Sequence, residues 1–312
     1  MPDLSLLSAA LDAFPVDSRA KINAALADRA VIPHDTVRFL MDESELTVDH
    51  VMLRLLPVAA AFAVVPISNY RVGVVAEVTT AHGTTLYLGA NCEFEGGALP
   101  FSVHGEQSAI VNAWVNGERS VNSLAISAAP CGYCRQFLNE LGCAKQLDLL
   151  LANAPKRRLF SDFLPQAFGP SDLGVSAGLL STPDQPLELE APSDDPLVRA
   201  ALAAAQRSYA PYSHDAAGVA LMTKDDHVVA APYAENAAYN PSMSPLSAAR
   251  TALEMNRPVD ASRTIRRAVL VETEARASQR RFAESILATF APDVELECFR
   301  AIKPEAEAQR PR

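Results

Sequence analysis

The chain is poor in the residues that build disulfide frameworks, membrane spans and polyanion-binding faces. Its 312 residues include five cysteines, one tryptophan and 6% aromatics. Five cysteines cannot all pair, and two of them stand as Cys131-x-x-Cys134, a spacing that outside the secretory pathway favours metal or redox chemistry. Cys92, Cys143 and Cys298 are then expected to be ordinary reduced thiols. The longest apolar run, residues 55–67, is interrupted by Pro57 and Pro66 and is too short to cross a bilayer, so no membrane partner is expected. Positive charge is also scarce, with 27 Lys and Arg against 37 Asp and Glu, a net charge of −10. Nucleic-acid binding relies on Lys and Arg to neutralise phosphates, and the short run Lys156-Arg157-Arg158 does not reverse the balance. There is no glycine-rich dinucleotide fingerprint and no phosphate-loop motif. Met1-Pro2-Asp3-Leu4 lacks a basic leader, so a cytoplasmic location is expected.

A hydrophobic content of 49% suffices for two domains, or one large one with extensions. Leu6, Leu7, Ala10 and Leu11 share one helical face, and residues 1–48 are expected to form a small helical preface. A second helical pattern from His50 to Val65 runs into Pro66. Residues 70–78 and 85–89 read as hairpin strands around His82-Gly83. Residues 106–114 are helical in period, with Ala109, Ile110, Ala113 and Trp114 on one face. Residues 123–128 form a short apolar strand, and Pro130 suits the start of a helix continued by Phe137, Leu138 and Leu141.

The Pro- and Asp-rich residues 181–196 read as a linker between residues 49–180 and a degenerate second copy at 197–312. Pro211-Tyr212-Ser213-His214 and Gly218-Val219-Ala220 match Pro66-Ile67-Ser68-Asn69 and Gly73-Val74-Val75. Ala234-Glu235-Asn236 is paired with Gly89-Ala90-Asn91. Ser244-Pro245-Leu246 stands opposite His104-Gly105-Glu106, and no second C-x-x-C follows, so one metal per chain is expected.

The chemistry resides in His104-Gly105-Glu106 and Pro130-Cys131-Gly132-Tyr133-Cys134. An imidazole and two thiolates suit Zn²⁺, and three protein ligands leave one tetrahedral position for water. Two thiolates and a neutral imidazole cancel the metal charge, so the centre is a modest Lewis acid. Lowering the pKa of water from about 15.7 to about 7 requires about 12 kcal/mol. Glu106, two residues from the ligand His104, supplies a carboxylate beside the metal rather than on it. A closed structural zinc site would normally add a fourth Cys or His, and a redox pair would not need H-x-E.

These motifs closely resemble those of the bacterial dimeric cytidine deaminases, with the resemblance strongest from Pro66 to Pro170. It implies a duplicated three-layer α/β/α sandwich with a mixed β-sheet, and zinc-dependent hydrolysis of cytidine and 2'-deoxycytidine in pyrimidine salvage. By resemblance, Asn91 and Glu93 bind the sugar hydroxyls. Tyr70 stands where the family usually has a phenylalanine beside the pyrimidine, and Phe168 matches one that reaches the neighbouring subunit's site in a homodimer. Departures include Tyr133, where a histidine is frequent, and Ala128-Ala129, where the residues are usually more polar. Other readings are a polynucleotide or other aminopyrimidine or purine deaminase with the same chemistry, or a non-catalytic zinc module.

Overall fold

The computed structural model describes residues 3–258 and 261–304. The chain opens with α1 (Leu4–Leu11), α2 (Val16–Leu26), the two-residue strand β1 (Val31–Ile32), α3 (His34–Ser44) and α4 (Val48–Ala60). Asp3 caps α1 through Leu6 N–H, and Thr47 caps α4 through His50 N–H. Next come β2 (Gly73–Thr80), β3 (Gly83–Ala90), α5 (Gly105–Val115), β4 (Ser123–Ile126), α6 (Gly132–Leu138), β5 (Asp148–Leu151) and β6 (Ala154–Leu159). They form a mixed sheet of order β1-β3-β2-β4-β5-β6, in which β4 and β5 run parallel across the α6 crossover.

The second half repeats this plan. After β7 (Glu188–Leu189), it runs through α7 (Pro196–Gln206), β8 (Ala217–Thr223), β9 (Val228–Pro232), α8 (Pro245–Met255), β10 (Ile265–Thr273), α9 (Arg280–Phe290) and β11 (Leu296–Ile302). Its sheet has the order β7-β11-β10-β8-β9, with β10 and β11 parallel across α9.

Strand alternation sorts the side chains into layers. Val74, Ala76 and Val78 of β2 join Val219 and Leu221 of β8 in one core with α5, α8 and α9 between the sheets. Val75 faces the other way, towards α1–α4, while Ala220, Val269 and Val271 face α7. The α/β/α layering therefore occurs twice around a shared middle. At the seam, Ser108 and Thr251 hydroxyls lie 3.0 Å apart, and Asn256 Nδ2 donates to Asn112 Oδ1 at 3.0 Å. Among the described residues, no helix is long and apolar enough to cross a membrane.

Gly73 and Gly218 have the same cause. A Cβ on Gly73 would come within 2.1 Å of the Leu56 carbonyl oxygen, and one on Gly218 within 2.3 Å of Ala205 N, so each helix lies directly on its strand. Both copies also place a left-handed residue just before the strand, Asn69 (φ 56°) and His214 (φ 65°).

Several expectations are corrected. Residues 1–48 are not wholly helical, because β1 pairs with β3 and the preceding helices cover the same sheet face as α4. The first hairpin strand begins at Gly73 rather than Tyr70, because Val72 N–H is held by the Asn91 side chain. The apolar helix ends at Ala60, and α6 ends at Leu138, leaving Leu141 to bridge to Leu179 beyond the helix. Residues 181–196 are more than a tether, since β7 pairs with β11 and Leu187 is buried. The pairing of Ala234-Glu235-Asn236 with Gly89-Ala90-Asn91 is displaced by three residues. Gly73 faces Ala90 whereas Gly218 faces Pro232, so the second hairpin is shorter and Glu235 falls opposite Glu93.

Candidate active site

Two helix N-termini converge on one point. His104 is the N-cap of α5 and Cys131 the N-cap of α6, where free N–H groups and the helix dipole favour thiolate. His104 Nδ1 lies 3.4 Å from Cys131 Sγ and 3.2 Å from Cys134 Sγ. Zinc–nitrogen and zinc–sulfur bonds of about 2.0–2.3 Å in a tetrahedron separate such donors by about 3.5 Å, so this donor set fits zinc. It is the only cluster of this kind among the described residues. Cys92 is buried away from it, and burial pushes its thiol up to about 11.

The cysteines titrate as a pair. The Cys134 thiol and N–H both donate to Cys131, holding it down to about 4, while the hydrogen bond to Cys131 and burial push Cys134 up. Without metal, one proton is thus shared by two sulfurs, and the metal must displace it. The turn is braced by Arg135, whose Nε donates to the Pro130 carbonyl at 2.9 Å and Nη1 to the Phe163 carbonyl at 3.2 Å. His104 N–H donates to Gln107 Oε1 at 3.1 Å.

Glu106 is 4% exposed in the first turn of α5, beside Cys134. Burial holds its carboxyl above the usual range despite the neighbouring donors. A general acid/base at neutral pH benefits from that direction of shift.

The other wall is built by a two-way backbone bridge. Cys92 N–H donates to the Val103 carbonyl and Val103 N–H to the Cys92 carbonyl, both at 2.8 Å, which sets Asn91 and Glu93 next to His104. Glu93 Oε2 accepts N–H from Ile67 (2.9 Å) and Ser68 (3.0 Å), and Oε1 accepts the Ser68 hydroxyl. Burial would raise this carboxyl, but these donors outweigh it and keep it below its usual range. Asn91 Nδ2 donates to the Tyr70 carbonyl at 2.9 Å and Oδ1 accepts Val72 N–H at 2.8 Å. One amide hydrogen and one lone pair of Asn91 remain for a ligand.

Asn91, Glu93, His104, Glu106, Cys131 and the 62%-exposed Tyr70 all border one cavity of about 350 Å³. Phe168 does not border it and is 49% exposed. Its carbonyl accepts from the amides of Gln136 (2.8 Å) and Asn139 (3.1 Å), which fixes the loop and leaves the ring outward. Sequence reasoning missed Ser68 as the partner of Glu93. The recurring pair Pro66-Ile67-Ser68 and Pro211-Tyr212-Ser213 carried the signal, because both serines grip a carboxylate.

The family model of the cytidine and deoxycytidylate deaminase zinc-binding region matches residues 47–147 and again residues 160–284. The cytidine deaminase of Aliivibrio fischeri is 43% identical over 272 residues, covering 86% of this chain and 88% of its own. The chain belongs to the cytidine and deoxycytidylate deaminase family. Within that family, the cytidine deaminase of Aeromonas hydrophila is 42% identical over 290 residues, covering 92% of this chain and 96% of its own. A crystal structure of cytidine deaminase from Mycobacterium tuberculosis aligns with 38% of this chain and 96% of its own, at 28% identity and a TM-score of 0.33.

Proposed function

We propose that this protein hydrolyses cytidine and 2'-deoxycytidine to the corresponding uridines and ammonia, in cytoplasmic pyrimidine salvage. The observation carrying this reading is the placement of buried Glu106 beside the His104, Cys131 and Cys134 donors, on a cavity shared with Asn91 and Glu93. Zinc held by those donors supplies Lewis acidity that makes water a nucleophile near neutral pH.

Glu106 takes one proton from the attacking water and passes it to the ring nitrogen, then takes the remaining proton from the new hydroxyl on the ring carbon and passes it to the departing amino group, so the carboxyl ends the cycle as it began. Its burial favours this, because a carboxyl raised towards neutrality both accepts and releases protons readily. Glu93 and Asn91 receive the sugar hydroxyls, and a substrate lacking the sugar would leave them unpaired. Tyr70 forms the open aromatic wall beside the base. Phe168, turned away from its own cavity, is suited to close the site of a second copy in a homodimer.

The cavity of about 350 Å³ matches a nucleoside rather than a strand, and the net charge of −10 opposes phosphate backbones. The zinc-loaded protein, incubated with cytidine, deoxycytidine, cytosine, CMP and adenosine, should release ammonia from the first two. Preferential turnover of cytosine, CMP or adenosine would overturn the reading.

A further inference from the structure

A cavity of about 790 Å³, roughly twice the volume beside His104, opens in the second copy at the corresponding place. Its backbone repeats the first site. The two-way bridge between Ala234 and Met243 stands where Cys92 meets Val103, and Glu235 follows it as Glu93 follows Cys92. Glu235 Oε2 accepts N–H from Tyr212 (2.8 Å) and Ser213 (3.1 Å), and Oε1 accepts the Ser213 hydroxyl, the same three donors that hold Glu93.

The metal half is gone. Ser244 replaces His104, Leu246 replaces Glu106, and residues 274–278 contain no cysteine. Aromatic surface lines the opposite wall. Tyr233 stands at the position of Asn91, Tyr212 at that of Ile67, and Tyr239 is on the rim. The Tyr212 and Tyr239 ring centroids are 6.5 Å apart, and the Tyr212 hydroxyl is anchored on Glu140.

Beside these residues lies Asp215, fully buried at the position of Tyr70. Gln279 Nε2 donates to its Oδ2 at 3.0 Å, and the side chain lies behind the cavity wall rather than on it. Burial pushes Asp215 up to about 7, which lets it accept or donate at neutral pH.

We propose that the second copy is a nucleoside-binding site without chemistry, in which Glu235 receives sugar hydroxyls and Tyr212, Tyr233 and Tyr239 wall the base. This rests on the reading of Glu93 as the sugar-binding carboxylate of the first copy. Glu235 and Glu274 outweigh the single cation Arg276 along the cavity wall, so an uncharged nucleoside fits better than a nucleotide.

Uridine, the proposed product, is the probe because it is not consumed. Equilibrium dialysis of uridine against the zinc-loaded full-length protein should fill two sites per chain. Ala277→Trp, which places a large ring in the second cavity, should leave one, with zinc content and melting temperature retained. A single site in the unaltered protein, or two in Ala277→Trp, would overturn the proposal. Glu93→Gln tests the parent reading separately. Loss of one site with the other kept supports both assignments, whereas retention of both removes the sugar role from Glu93 and, with it, from Glu235.

Discussion

The Tyr133 hydroxyl, between the two cysteines of the metal turn, donates to the Asn240 carbonyl of the second copy at 2.6 Å. Three residues further into α6, Gln136 exchanges hydrogen bonds with Asn236. At the end of the helix, Glu140 accepts the hydroxyls of Tyr209 and Tyr212 and the N–H of Ala237. The copy that has lost its own ligands thus braces the helix that carries Cys134.

Glu140→Ala would leave three donors, two of them buried, without their acceptor, and penalties of about 1–3 kcal/mol each sum to about 3–9 kcal/mol of lost stability. Urea denaturation of the zinc-loaded protein measures this. Glu140→Gln keeps one acceptor oxygen and should lose less.

Glu106→Gln should retain zinc and lose turnover by about 10²–10⁴-fold, because the amide preserves shape but cannot exchange the proton. Metal analysis and steady-state rates on the same preparation check this, and near-normal kcat would remove Glu106 from the mechanism.

Glu93→Gln weakens two things at once. Its amide cannot accept from Ile67, Ser68 N–H and the Ser68 hydroxyl as well as a carboxylate does, so about 1–3 kcal/mol of stability should go. KM for cytidine should rise more than kcat falls, since the sugar contacts are lost in ground and transition states alike. An unchanged KM with reduced stability would reduce Glu93 to a turn-holding residue.

Zinc affinity should increase with pH above 7, by about tenfold per unit, until the retained proton has gone. Cys131 is already a thiolate there, being held down to about 4, while Cys134 is pushed up and keeps its proton until the metal displaces it. Competition with a chelator across pH measures the slope, and a flat profile would contradict the shared-proton arrangement.

Asp215 gives a pH signature of opposite origin. Its folded pKa of about 7 lies above the ordinary 3.8, so its contribution is complete below about pH 4 and is lost as pH rises through 7. The shift corresponds to about 4 kcal/mol. Asp215→Asn, which can still accept from Gln279, should become more stable relative to the unaltered protein between pH 5 and 8 in parallel urea titrations.

The metal half of the site was legible in the sequence because ligand chemistry restricts residue types and both half-motifs open helices, where His104 and Cys131 prove to be the N-caps. The Asn91 and Glu93 side of the site was read only by resemblance. The grip of Ser68 on Glu93 joins residues 25 apart through a turn, and no periodicity reports such a contact. Strands β1 and β7 have two residues each, too few to display alternation. The three-residue slip at Glu235 arose because the second hairpin has shorter strands joined by a longer turn, a trade that the sequence pattern does not report.

The helix α8 separates two demands along its length. Its first turn carries Ser244 and Leu246 at the positions of His104 and Glu106, whereas Thr251 and Asn256 further along are tied to Ser108 and Asn112 of α5. Substitutions at its mouth therefore leave the seam between the copies untouched, and those at its stem do not. Divergence of the duplicated half could erase one reaction centre while the architecture supporting the other was preserved. Re-installing a metal there is correspondingly a problem of loop ends and helix mouths, with the interior already in place.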